Sequence, residues 1–268
     1  FCLECLEKSR LSCHDPKKYS TMNKIALRID DIGASTKEFE VYSKKWFGLG
    51  NFLFLKYMPY FKAWAKYREM SADEWYTVFE LLKKYNAKLT VGVTATWVNY
   101  DGSSTNFSDK FPEEAKALKY GVNMGLIEVA NHGLTHCVVK DNLFRPRLFS
   151  SNREYHREFW SWLRMETHFE HIKKSQEILQ GFFEIDVVTL IPPGNVYCNF
   201  TIEAAKKYGI KYINCQTPSQ VIDKVAILSN DNVYAFHDKE IVQEGLNWFE
   251  GVLKKYQSYQ HVFVKELN

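Results

Sequence analysis

Four short apolar runs in this chain each end in a polar motif, and helix-patterned segments separate them. Lys24 to Asp30 reads Lys-Ile-Ala-Leu-Arg-Ile-Asp and closes on Asp30-Asp31. Leu126 to Ala130 closes on Asn131-His132, Asp186 to Ile191 on Pro192-Pro193-Gly194, and Val233 to Phe236 on His237. Such runs suit strands buried on both faces of a parallel sheet. Parallel neighbours need crossover connections, which the intervening helices supply. The alternation restricts the chain to an α/β fold with a mostly parallel sheet. In a barrel of that kind the C-terminal strand ends converge on one face, so motifs distant in sequence become neighbours.

The intervening segments carry their own signals. Ser71 with Glu74 makes a capping-box pattern, and apolar residues recur at Trp75, Val78, Phe79 and Leu82, which predicts a helix to about Tyr85. Asn86-Ala87 ends it, and Lys88 to Thr94 predicts the next strand. Pro112 suits the first turn of a helix running to about Tyr120. A long helix is expected within Arg153 to Gln180, with Gly181 as its stop. Thr201 to Tyr208 predicts a short helix ended by Gly209. Lys211 to Ile213 and Val225 to Leu228 predict strands, and Lys239 to Tyr256 a final helix.

The 268 residues fit one domain, residues 22–268, preceded by a tail at 1–21. Two segments look added to the scaffold, near 35–70 and 140–163. Ser35 to Met70 is rich in aromatic residues, and Lys140 to Leu163 carries Arg145, Arg147, Arg153 and Arg157 with Trp160 and Trp162. Each follows a strand end, as a surface cover or a substrate lid. A net charge of +3 is too small and dispersed to argue for nucleic acid. No run approaches the ~18 apolar residues of a transmembrane segment. Phe1 to Thr21 lacks an apolar signal core, from which a cytoplasmic protein is expected. Cys2, Cys5 and Cys13 with His14 could make a zinc knuckle, but they read as reduced thiols of the tail. His168-x-x-His171 with Glu166 reads as a solvated helix face, His156 as part of a charged helix surface, and Cys137 as a buried filler.

The chemistry concentrates at the strand ends. Asp31, His132 and His136 form a set of two imidazoles and one carboxylate, which suits a borderline divalent metal such as zinc and leaves a position open for water. Gly133-Leu134-Thr135 lets the chain turn so that both rings face one ion. Neighbouring side chains at the end of a strand point to different sides, so Asp30 and Asp31 can take different roles.

Taken in order, Asp30-Asp31, His132-Gly-Leu-Thr-His136, Ile191-Pro192-Pro193-Gly194 and Phe236-His237 resemble successive motifs of the polysaccharide deacetylases, the NodB homology domain of carbohydrate esterase family 4. The stretch Lys83 to Thr90 resembles that family's first helix-to-strand junction. The resemblance spans roughly Lys24 to the C-terminus and implies a distorted (β/α)7 barrel. It further implies one divalent ion held by Asp31, His132 and His136, with zinc first and cobalt, nickel or manganese as alternatives. Asp30 is then the general base and His237 the acid that protonates the leaving amine. Pro193, Gly194 and Asn195 flank the substrate, with backbone N–H groups near Asn195 supporting the oxyanion.

The chain departs from the family at Ile191, where an Arg usually pairs with the base carboxylate. Arg28, two residues before Asp30 on the same strand face, is the candidate replacement for that charge. The family's Trp-containing motif is not recognisable between Gly209 and Val233. The expected function is removal of an N-acetyl group from an amino sugar or polysaccharide by a metal-dependent hydrolase. Alternatives are an amidase acting on a small non-sugar amide and a catalytically silent glycan-binding barrel. Asp30, Asp31, His132, His136 and His237 together favour an enzyme, and Ile191 favours an unusual substrate.

Overall fold

Strand β1 (Lys24–Ile32) carries Ala26, Leu27, Ile29 and Ile32 fully buried, which makes it the centre on which the sheet is assembled. The computed structural model describes residues 23–39, 41–43, 62–64, 67–99, 101–137 and 157–267. The N-terminal tail with Cys2, Cys5, Cys13 and His14, most of both added segments, and Arg145, Arg147, Arg153 and His156 lie outside the described residues. An antiparallel pair, β2 (Val41–Ser43) with β3 (Lys62–Trp64), precedes α1 (Ala72–Lys84) and β4 (Leu89–Val93). A second antiparallel pair, β5 (Thr96–Val98) with β6 (Ser104–Asn106), leads through α2 (Phe107–Lys110) to α3 (Pro112–Asn123) and β7 (Ile127–Asn131). The alternation continues with α4 (Met165–Phe183), β8 (Thr189–Leu190), α5 (Asn199–Lys207) and β9 (Tyr212–Asn214). Then come β10 (Gln220–Ile222), β11 (Val225–Leu228), β12 (Val233–His237), α6 (Asp238–Glu244), α7 (Leu246–Lys255) and β13 (Gln260–Val262).

The main sheet runs β10-β11-β9-β8-β7-β4-β1-β12, and β13 also pairs with β1. Every pair in it is parallel except β10 with β11. The sheet curls with helices packed outside it, a distorted (β/α)7 barrel. Its helical layer follows the sequence signals closely at α1. Ser71 Oγ accepts the Glu74 N–H and the Glu74 carboxylate accepts the Ser71 N–H, and Trp75, Val78, Phe79 and Leu82 are buried against β1, β4 and β7. A second cluster joins Leu190, Ile213 and Ile227 on the sheet to Ile172 of α4 and Ile202 of α5. No helix among the described residues is long and apolar enough to cross a membrane.

Several elements differ from the sequence expectation, each for a physical reason. Gly181 does not stop α4. The helix continues to Phe183, whose side chain enters the core, and ends on Glu184 in the left-handed region at φ 56°. The expected final helix is two helices, because Gly245 at φ 84° and ψ 169° breaks it between α6 and α7. The Asp186–Ile191 strand shortens to Thr189–Leu190, with pairings only at Thr189↔Tyr212, Leu190↔Ile213 and Asn131↔Leu190. His168 and His171 do not form a solvated face. His168 Nδ1 sits 3.0 Å from Thr201 Oγ1 and its Nε2 is 3.1 Å from the Trp160 carbonyl, while His171 turns inward onto a buried acid.

Candidate active site

On β1, Arg28 and Asp30 share the face opposite Leu27 and Ile29, as residues two apart on a strand must. Regular alternation would turn Asp31 away from them. Instead, Ile29 pairs with Val91 and Ile32 with Val93, so three steps on β1 oppose two on β4. This bulge, with Asp31 at φ 70°, brings both carboxylates to one cleft. The expectation that Asp30 and Asp31 point to different sides is therefore corrected by the register shift. Gly92 of β4 leaves them room: a Cβ there would lie 3.4 Å from Asp30 Oδ1, from the His132 ring and from Ile191.

The cleft has a volume of about 370 Å³ and is lined by Asp30, Asp31, His132, His136, Arg157, Pro192, Gly194, Asn195, Gln216 and His237. Asp31 Oδ1 lies 3.2 Å from His132 Nε2 and 3.0 Å from His136 Nε2. One ligand atom from each of these residues falls within 4.8 Å of the others. The far side of each ring is already engaged, His132 Nδ1 at 2.7 Å from the Ile191 carbonyl and His136 Nδ1 at 3.0 Å from Thr36 Oγ1. Each Nε2 therefore faces inward, and the two imidazoles plus carboxylate fit a zinc-like divalent ion with its outer hydrogen bonds in place. Burial works to raise the Asp31 carboxyl, but His136 and His237 nearby, and hydrogen bonds to His132 and His136, hold it well below the usual carboxylate range.

Asp30 is anchored on one side only. Its Oδ2 accepts from Arg28 Nη2 at 2.8 Å, whereas its buried Oδ1 has no hydrogen-bond partner among the described residues. Arg28 Nη1 also donates to Asn214 Oδ1 and, at 3.2 Å, to Asn230 Oδ1. Asn214 ends β9, in the region where no Trp-containing motif is recognisable. His237 is the register partner of Asp30 on β12. Its side chain is 48% exposed, and the Asp31 carboxylate, ahead of the opposing effect of burial, raises its pKa.

The turn after β8 places Pro192, Gly194 and Asn195 along the cleft, with Gly194 at φ 63° and Asn195 at φ 57°, whereas Pro193, expected beside the substrate, is buried and is not among the residues that line it. Gly194 is required there, because a Cβ would meet the Arg157 side chain at 2.6 Å. The Asn195 N–H donates to the Pro192 carbonyl at 2.9 Å.

Other groups at the site had no sequence motif to mark them. The Glu158 carboxylate accepts from the backbone N–H groups of Leu134 and His136 at 2.9 Å and of Thr135 at 3.3 Å. Lys37 Nζ is fully buried between Glu69 Oε2 at 2.6 Å and Asp238 Oδ2 at 2.5 Å, and Glu69 also accepts the Gly33 N–H. Cys137 is buried beside Val98, as a filler would be, and burial pushes its thiol pKa up.

Fold and site together define a class of protein, a curled parallel sheet with two imidazoles and a carboxylate gathered at its C-terminal strand ends. Residues 67–213, more than half of the chain, match the family model described as polysaccharide deacetylase, and the chain belongs to that family. A family 4 carbohydrate esterase from Streptomyces lividans, solved with acetate, is similar at 12% identity and a TM-score of 0.50, over 90% of this chain and 93% of that one. A mutant of BA3943, a CE4 family pseudoenzyme from Bacillus anthracis with restored activity in that mutant, is similar at 15% identity and a TM-score of 0.50, over 92% of this chain and 68% of that one. At these identities the likeness is one of fold. No curated protein matches the chain.

Proposed function

We propose that this protein is a metal-dependent N-deacetylase acting on an acetylated amino sugar, alone or within a glycan. The observation that carries the reading is the convergence of His132 Nε2 and His136 Nε2 on Asp31 Oδ1, at 3.2 and 3.0 Å, beside a carboxylate oxygen of Asp30 that has no partner of its own among the described residues. Asp31, His132 and His136 would hold the ion, zinc being the best fit to this donor set. A divalent ion bound there supplies Lewis acidity, lowering the pKa of a water and polarising an amide carbonyl.

The chain's own groups account for the proton transfers. Asp30 Oδ1 takes the proton of the attacking water, while Arg28 compensates the carboxylate's buried charge through Oδ2. Arg28 thereby does the work of the cation missing at Ile191. His237 lies directly across from Asp30 on the neighbouring strand, where it can donate a proton to the leaving nitrogen. The acyl C–N bond breaks, acetate leaves and the amine is freed. Family membership supports the carbohydrate substrate. Ion-free protein should take up one equivalent of Zn²⁺ in a chelator competition, and Asp31→Asn should weaken that uptake about tenfold or more. Equal uptake by the variant would exclude this set as the metal site.

A further inference from the structure

The loop that carries His136 takes part of its support from a side chain outside it. Gly133 is at φ 86° and His136 at φ 59°, a region that side chains other than glycine's rarely occupy. Leu134, Thr135 and His136 are buried, so their backbone N–H groups need partners within the protein. All three are taken by one carboxylate. Glu158 Oε1 accepts from Leu134, and Oε2 from Thr135 and His136. The Glu158 side chain is itself 0% exposed, and His171 Nδ1 of α4 meets Oε1 at 2.5 Å. The acid is thus fixed from behind by an imidazole whose partner charge offsets its own burial.

We propose that Glu158 is a positioning residue for the metal centre, holding the main chain of residues 134–136 in the strained conformation that turns His136 toward Asp31 and His132. The inference rests on the metal-site reading above. Gly133 belongs to the same device: a Cβ at that position would lie 2.0 Å from Glu158 Oε2, so the glycine of His132-Gly-Leu-Thr-His136 admits the carboxylate. The device also gives His171 a role. It braces Glu158 from a helix packed against the sheet, and so links α4 to a ligand it never touches. A glutamine in place of Glu158 retains one carbonyl oxygen but presents an amide NH₂ where an acceptor is needed. At least one buried loop N–H then loses its partner, and His136 is released toward unstrained backbone.

The test uses the full chain, stripped of metal and titrated with Zn²⁺ against a chromogenic chelator, with visible spectra of the Co²⁺ form recorded in parallel. In Glu158→Gln, Zn²⁺ affinity is expected to fall tenfold or more, in the range seen when groups behind metal ligands are removed, and the Co²⁺ spectrum to change. If the ion-free variant melts lower yet binds Zn²⁺ like the wild type with an unchanged Co²⁺ spectrum, Glu158 is structural only and the proposal is overturned. Should Glu158→Gln not fold, His171→Gln carries the test, with an expected loss of about threefold or more, and unchanged binding and spectrum there would equally overturn the proposal. Wild-type protein that takes up no ion would instead remove the metal-site reading itself, and this role with it.

Discussion

Arg28 is the cation that pairs with Asp30 in this site. Its guanidinium reaches Asp30 from the same strand, two residues away, and is steadied by Asn214 and Asn230 from other parts of the chain. Both ion-pair partners are nearly inaccessible, with side chains 3% and 9% exposed, so breaking the pair leaves an uncompensated buried charge. Arg28→Gln should therefore lower kcat/KM by at least about tenfold. An unchanged kcat/KM would show that the cation is not needed. The residue pattern makes Arg28 a candidate because i and i+2 share a strand face. It cannot reveal the asparagines, which are distant in sequence.

The elements differ in how far sequence can foresee them. Helix α1 is legible because its cap, its apolar stripe and its end are all local. The bulge at Asp30-Asp31 is not, since register exists only once β4 is beside β1. The solvated face expected at His168 fails for a reason that can be named. Its buried neighbours on α4, Ile172, Ser175, Gln176, Leu179 and Phe183, continue a stripe with a spacing of mostly three or four that begins at His168 itself. Extending that stripe backwards puts the histidine inside. Glu158 leaves no such trace, because its partners are backbone N–H groups 22 to 24 residues earlier and a histidine 13 residues later, which no local pattern connects to it.

Helix α6 is tied to the region after β1 by a buried charge cluster. Lys37 faces two carboxylates, Glu69 and Asp238, and burial, the largest cause, together with this excess of negative charge raises Asp238 from an ordinary 3.8 to about 8. The sign follows directly. Asp238 holds its proton more tightly folded than unfolded, so its contribution to stability is fully present below about pH 4 and is lost by about pH 8. Asp238→Asn abolishes this titration. Its Tm relative to wild type should become more favourable as pH rises from about 5 to about 8. A difference that stays flat with pH would mean the carboxyl is not protonated in the native protein.

At the scale of the whole molecule, the parallel sheet does the assembling. Asp30 and Asp31, His132, the 193–195 turn and His237 each lie at or just past the C-terminal end of a strand, and β1, β7, β8 and β12 deliver them to one cleft. Strand polarity, readable from alternating apolar runs and helices, is enough to nominate them. Their use as a deacetylase is most directly tested by acetate release from N-acetylglucosamine oligomers, with zinc-reconstituted protein run beside chelated protein and His132→Ala. The account predicts release by the reconstituted wild type alone. Stoichiometric zinc with no acetate released, or release that persists in His132→Ala, would contradict it.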